Sequence, residues 1–442
     1  AAYLQAARQT ARDFRFTRAE KLAARGLELA TESAERSALT CLRGELLHDL
    51  GDAEASIEAF REGLELAEDD AERCRARIGM AAGMRIVDRL DEAFAALDAA
   101  EQEAGSADLP DELARLHHLR GNLFFPLGNI TGCREAHEQA LDYAQRASST
   151  DLEARALSGL GDAEYNRGRM ITANGYFRRC VELAQRHGHR RIEVANRSMV
   201  GFSRYYANEI REAYADGAAA AESASEVGHL RAELLGRLMM YWTLYDLADF
   251  DRAKEEIGNA RRLAERLGSG RFLAQTHTTL ASILRREGQR EEALETAERA
   301  VAVSLESGAG FNGPWAMSEL ALNTEDDEER QRHLDEGEAL LRSGAVAHNH
   351  VFFYRNAMDA CLESENWGGV ERYGQTLWDF TRQEPLPICD FYIARGRSLA
   401  AHGRGERSQA HAAELRRLCG EAEEAGLMLA VPELQAALAE AG

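Results

Sequence analysis

Apolar residues recur three and four positions apart along the whole chain, and no segment alternates apolar and polar residues strictly. The first spacing marks one face of a helix, and strict alternation would mark a half-buried strand. The chain therefore reads as helix throughout. The helices come in pairs: one helix, a short turn, then a second helix that opens with polar residues and a small one. Segments such as "LGDAEASIEAF", "LGNITGCREAH", "LADFDRAKEEI" and "EGQREEALETA" show the pattern. Taking the small residue as an anchor gives Ala19, Ser56, Ala93, Cys133, Ala173, Ala213, Ala253, Ala293, Arg330, Val370 and Ser408, spaced 37 to 40 residues apart. Only Arg330 and Val370 are not small.

A helix pair of this kind needs a second small residue where its two helices cross. Twelve positions before the anchors stand Ala7, Gly44, Ala81, Gly121, Gly161, Gly201, Tyr241, Ala281, Ser318, Met358 and Gly396, nine of the eleven being Gly, Ala or Ser. A third signal is Gly188, Gly228, Gly268 and Gly308, forty apart, each placed to end a second helix in the left-handed conformation. A period of this size marks a repeat architecture. The expected fold is all-α: a right-handed α-solenoid of about eleven tetratricopeptide-like (TPR-like) helix pairs. First helices are expected near 2–13, 34–50, 70–87, 110–126, 150–166, 190–207, 230–247, 270–287, 314–323, 347–364 and 388–402. A capping helix is expected over Leu427 to Ala441. Residues 1–307 are expected to hold repeats one to eight, and 308–442 the atypical repeats nine to eleven plus the cap, in one continuous superhelix. The irregular stretch 308–330 is read as a kink between the two blocks.

Composition supports this reading. Six prolines occur in 442 residues, none between Pro126 and Pro314, which favours uninterrupted helix. The formal net charge of −22 argues against nucleic acid and anionic membrane surfaces as partners. Basic groups are almost all arginine, with Lys21 and Lys254 as the two lysines; guanidinium groups suit bidentate contacts with carboxylates. The seven cysteines are widely spaced and without a CxxC, which points to a reducing cytoplasm rather than a disulfide framework. No apolar run is long enough to cross a membrane. The chain begins with Ala rather than Met, and is expected to be a fragment of something longer.

Chemical motifs are few. Gly308-Ala309-Gly310-Phe311-Asn312-Gly313 spells GxGxxG, but it follows a helix instead of a strand and reads as a turn between repeats. There is no phosphate-binding loop and no HExxH. The pairs His117/His118, His187/His189 and His348/His350 lack cysteines at zinc spacing. The run Glu325 to Glu329 lacks calcium-loop spacing and suits a solvated helix start. No catalytic residue, metal or cofactor is expected, and the chain is not expected to be an enzyme.

One feature stands out from this background. Eight positions before their anchors stand Phe125, Tyr165, Tyr205 and Tyr245, forty apart, with Phe202 and Trp242 one turn earlier and Arg85 and Arg285 at the ends in the same register. Such a row on the concave face of a superhelix is suited to a peptide or a partner helix. The alternative is that these rings pack between neighbouring repeats, and the sequence leaves both open.

Several C-terminal segments carry a resemblance: "GFNGPWAMSELALNT", "GEALLRSGAVAHNHVFFYRNAMDACLE", "WGGVERYGQTLWDFTRQEPLPICDFYIARGRSLAAHGRG" and "VPELQAAL". They resemble the C-terminal TPR-like region of bacterial multidomain class III adenylate/guanylate cyclases that carry a signal-transduction-type ATPase module. The resemblance implies a regulatory region and, since cyclase and ATPase domains lie upstream in that family, brings no catalytic residue with it. Within these segments His350, Tyr354 and Arg355 form a second candidate patch, with packing of the atypical repeats as the alternative. The sequence thus points to a protein-interaction or sensor scaffold whose partner is a protein or peptide, or the upstream cyclase and ATPase domains of the same chain. The rival is a stand-alone adaptor that holds a peptide or helix in its concave groove.

Overall fold

The computed structural model describes residues 2–87, 89–125 and 127–441. Among these it contains twenty-three α-helices, one short 3-10 turn and no strand. The helices run in chain order as α1 (Ala2–Arg12), α2 (Phe16–Leu29), α3 (Ser33–Asp49), α4 (Ala53–Leu66), α5 (Asp70–Ile86) and α6 (Leu90–Ser106). Then follow α7 (Pro110–Phe124), α8 (Ile130–Arg146), α9 (Thr150–Asn166), α10 (Met170–His187), α11 (Arg190–Tyr205) and α12 (Ile210–Glu226). The third group is α13 (Leu230–Asp246), α14 (Phe250–Arg266), α15 (Gly270–Arg286), α16 (Arg290–Glu306), α17 (Gly313–Asn323) and α18 (Asp327–Arg342). The last are α19 (His348–Glu363), α20 (Trp367–Thr381), α21 (Pro387–Gly403), α22 (Gln409–Ala425) and α23 (Val431–Ala441), with the 3-10 turn at Met428–Ala430. These are eleven helix pairs and a terminal helix, so the all-α helix-pair repeat read from the sequence is the fold.

The chain forms two compact units: Ala1–Ala163 with Arg179–Glu193, and Glu164–Arg178 with Val194–Gly442. In both, the anchors lie at closed crossing points: Ala19, Ser56, Ala93, Ala213, Ala253 and Ala293 are fully buried. The small partner on the first helix has a steric reason. A Cβ on Gly201 would come within 3.1 Å of the Ala213 carbonyl oxygen. The eleventh anchor needs correction. Ser408 is exposed and precedes α22, and its side chain accepts a hydrogen bond from the His411 amide at 3.2 Å. The buried small residue, in the fourth position of the second helix like the other anchors, is Ala412. Ser408 and Ala412 are both small and stand one helical turn apart, so the pattern of small residues alone does not separate them.

Helix ends follow local chemistry. At Gly268 (φ 61°) the Ser269 amide donates to Ala264 O at 2.9 Å and the Gly268 amide to Glu265 O at 3.1 Å, the paired bonds of a left-handed helix stop. Ala248 makes the same pair of bonds with φ 58° although it carries a Cβ. The stretch 308–312 is a turn, and α17 is correspondingly short at 11 residues.

In the second unit the last helices reach back to earlier ones. The Glu384 carboxylate accepts from the Ile171 and Thr172 amides at 2.7 and 3.2 Å, at the start of α10. The Ile388 amide donates to Tyr206 O at 3.3 Å, and Arg211 donates to Glu424 O at 3.0 Å.

Candidate functional site

The inner face of the second unit is built on α11 and α13. Both first helices carry large rings one turn apart because each repeat puts the same two positions on the same side. Phe202 and Trp242 meet edge to face at 5.0 Å between centroids, and Tyr205 lies 6.0 Å from Trp242. These rings are not open. Trp315 of α17 and Phe352 of α19 stack on one another at 4.2 Å and close over Trp242 at 5.4 and 4.8 Å. Offset and edge-to-face pairs at such distances each add about 0.5–1.5 kcal/mol beyond burial. Between them remains a cavity of about 20 Å³, lined by Tyr205, Trp242, Tyr245, Thr279 and Arg355 among others. That is room for a single water.

A buried ionic seam runs beside the rings. Asp246, 1% exposed, accepts from Arg355 Nη2 at 2.9 Å and from the Tyr205 hydroxyl. Arg355, 7% exposed, also lies 4.0 Å over the ring of Tyr392. Burial works against the charge on Arg355, but Asp246 and the surrounding phenols outweigh it and its pKa is raised. Burial, followed by Asp246, pushes the Tyr205 phenol up, so it stays a donor. Further along, Arg395 donates to Asp359 at 2.6 Å and to Glu433, which also pairs with Arg286 at 3.3 Å. Burial opposes ionisation of Asp359, yet Arg395 and Arg286 hold its pKa below the usual range. Every charge in this seam therefore has a partner, the condition for burying charge at tolerable cost.

The sequence-derived candidates separate as follows. Phe202, Tyr205 and Trp242 form the buried cluster, and Tyr245 is half-buried at the cavity edge beside Phe250 at 6.1 Å. Tyr165 is buried, its hydroxyl 3.2 Å from that of Tyr206. Arg285 pairs with Glu363 at 2.8 Å. Arg355 joins the aromatic row, whereas His350 stacks on Phe380 at 4.1 Å and Tyr354 faces Tyr373 at 6.1 Å. Arg85 and Phe125 belong to the first unit, where Arg85 is half-buried and Phe125 is exposed at the end of α7. Asp246, Trp315, Phe352, Asp359 and Arg395 were missed. For the three charged residues the available signal was a charge in a mostly apolar first helix, as Asp246 in "LLGRLMMYWTLYD"; Trp315 and Phe352 carried no such mark.

The described residues contain no cluster of ligands for a metal ion, and no described helix is long and apolar enough to cross a membrane.

Residues 40–70 match the profile of the tetratricopeptide repeat. That match spans the crossing of α3 and α4. A search of curated protein sequences finds no match. Among solved structures, the chain is similar to a Rap protein complexed with competence and sporulation factor: TM-score 0.61, 13% identity, 79% of this chain and 98% of that one. It is similar to NprR in complex with its cognate peptide NprX, with TM-score 0.58, 14% identity, 80% of this chain and 99% of that one. The apo form of the quorum sensor NprR from B. thuringiensis aligns with TM-score 0.53 and 12% identity, over 80% of this chain and 99% of that one. At these identities the likeness establishes the helical-repeat fold.

Proposed function

We propose that this chain is a non-catalytic protein-interaction and sensor scaffold, and the regulatory region of a larger bacterial signalling protein of the cyclase–ATPase type. The observation that carries the reading is the inner face of α11 and α13. It already holds helices, those of its own chain, by stacked rings and a buried Asp246–Arg355 pair. A face with this chemistry can hold a partner helix or peptide instead, and a ligand that prefers the uncovered face shifts the population towards it. Two neighbours of the same fold are described with a bound factor and a bound peptide, which supports a peptide or protein ligand here.

The test uses a peptide copying residues 348–363. A Phe352→Ala/Arg355→Met variant loosens the cover and is expected to bind this peptide in trans, at least about tenfold tighter than wild type, with quenching of Trp242. Absence of binding by a variant that retains its helicity rejects the inner face as a ligand site. In the intact gene product the same variant is expected to change the activity of the accompanying signalling module, and unchanged activity rejects the regulatory role. A second reading, an adaptor that holds a peptide or partner helix in its groove, is supported by the same two neighbours, described with a bound factor and a bound peptide.

A further inference from the structure

A wide cavity of the second unit lies away from the aromatic row. It is a groove of about 1070 Å³ beside α16, the end of α17 and the start of α18. Its size is at the top of the range for ligand pockets. It opens at the one repeat whose crossing position holds an arginine, Arg330, where the other second helices place a small residue or Val370. The Arg330 side chain lies along that crossing and donates to Thr324 O at 2.8 Å and Glu325 O at 3.2 Å, and pairs with Asp327.

The wall formed by α16 shows Glu291, Leu294 and Glu298 on one face, at i, i+3 and i+7. Glu291 and Glu298 are exposed, and among the described residues neither makes a hydrogen bond or an ion pair. Opposite, the Glu325 carboxylate is on a side chain that is 86% exposed and pairs with Arg290, itself 81% exposed, at 3.4 Å. The floor is Leu320 and Leu322. The half-buried cations of the groove are already engaged: Arg330 as above, and Arg285 with Glu363. The uncommitted charge facing the groove is therefore negative, above an apolar floor.

We propose that this groove docks an extended, arginine-bearing segment of a protein partner. The inference deepens the scaffold reading by naming the charge class of a partner, and it stands on a different surface from the inner aromatic face. Glu291 and Glu298 are about 10.5 Å apart along the helix axis. That is the span of about three extended residues. In an extended segment of the polyproline-II type, with three residues per turn and a rise of about 3.1 Å, guanidinium groups three residues apart lie on the same side about 9.3 Å from each other. They can therefore meet both carboxylates while an intervening apolar side chain rests against Leu294 and the floor. The net charge of −22 favours encounter with such a segment from a distance.

The probe is a fluorescein-labelled ten-residue peptide, Arg-Leu-Ala three times and a final Arg, titrated with the whole chain and read by anisotropy. Saturable binding is expected. Glu291→Gln/Glu298→Gln should weaken it by about tenfold, the 1.4 kcal/mol that two partly exposed ion pairs contribute. Charge reversal, Glu291→Lys/Glu298→Lys, should abolish it. As a control, Glu135→Gln/Asp142→Asn removes two exposed charges from α8 and should leave affinity unchanged. All these positions are on the surface, so folding is not at issue. Equal weakening by the α8 control would show that only bulk charge attracts the peptide and would overturn the groove. So would unchanged affinity in the Glu291/Glu298 variants, or equal binding of a peptide with Glu for Arg. None of these outcomes depends on the Phe352/Arg355 experiment, so the two proposals fail separately.

Discussion

The Asp246–Arg355 pair gives the sharpest test of how the inner face is held. Asp246→Ala leaves the Arg355 guanidinium buried without its carboxylate, a loss of about 3–5 kcal/mol in comparable sites. It also strands the Tyr205 hydroxyl, which adds about 1–3 kcal/mol if water cannot enter. The cavity beside Arg355 admits about one water, so the lower half of this combined range is expected, about 4–6 kcal/mol. Arg355→Met alone leaves Asp246 buried but keeps the bond from Tyr205, and about 3 kcal/mol is expected. Asp246→Leu/Arg355→Met removes both charges and leaves only the Tyr205 hydroxyl unpaired. That double variant is expected to lose about 1–2 kcal/mol, less than either single change. Guanidinium unfolding followed by tryptophan fluorescence reads this region, since Trp242 and Trp315 are two of the four tryptophans and both lie in the cluster. The comparison holds for variants that keep the wild-type denaturant slope. Additive losses, with the double variant least stable, would refute the claim that the two side chains act as a neutralised pair.

Other consequences are equally measurable. His137 and His348 are buried and neutral, each with its pKa lowered to about 4 by loss of hydration. Their unfolded-state value is about 6.5, so their contribution is complete above that pH and is lost as pH falls towards 4, by up to about 3 kcal/mol each. Urea midpoints should drop between pH 7 and pH 5, and a flat profile would contradict the burial. A Cβ on Gly236 would lie 2.6 Å from the Ala221 amide nitrogen, whereas one on Gly420 meets nothing within 4 Å. Gly236→Ala should therefore destabilise by about 1–3 kcal/mol, and Gly420→Ala should stabilise by about 0.5–1 kcal/mol; melting temperatures moving the same way would count against this packing. Ser408→Ala removes the cap of α22 and should cost about 1 kcal/mol, read as a lower melting temperature.

The repeat was legible because its causes are local. The crossing residues, the glycine stops and the helix bounds each depend on neighbours within one hairpin, so α13 and α15 begin where spacing placed them, at Leu230 and Gly270. The slip from Ala412 to Ser408 arose where that local pattern is duplicated one turn away. Register also placed Phe202, Tyr205 and Trp242 on one face. What covers that face is decided by partners more than a hundred positions distant, Asp246 with Arg355 and Trp242 with Phe352. No spacing rule reaches that far, so groove and core were indistinguishable until Trp315 and Phe352 were seen over the rings. Ala248 shows the converse limit: a left-handed stop with a Cβ carries no compositional mark.

The bonds from Ile388 to Tyr206, from Arg211 to Glu424 and from Glu433 to Arg286 bear on how this protein comes apart. In a repeat chain whose members touch only their neighbours, the last pair frays first and amide protons exchange fastest at the ends. Here α21 to α23 are clamped to α12, α15 and the α11–α12 turn, so opening them breaks contacts in the middle of the second unit as well. Their amides should exchange only in the same cooperative event that releases α13, and a protease should find no foothold near Glu433 before that event.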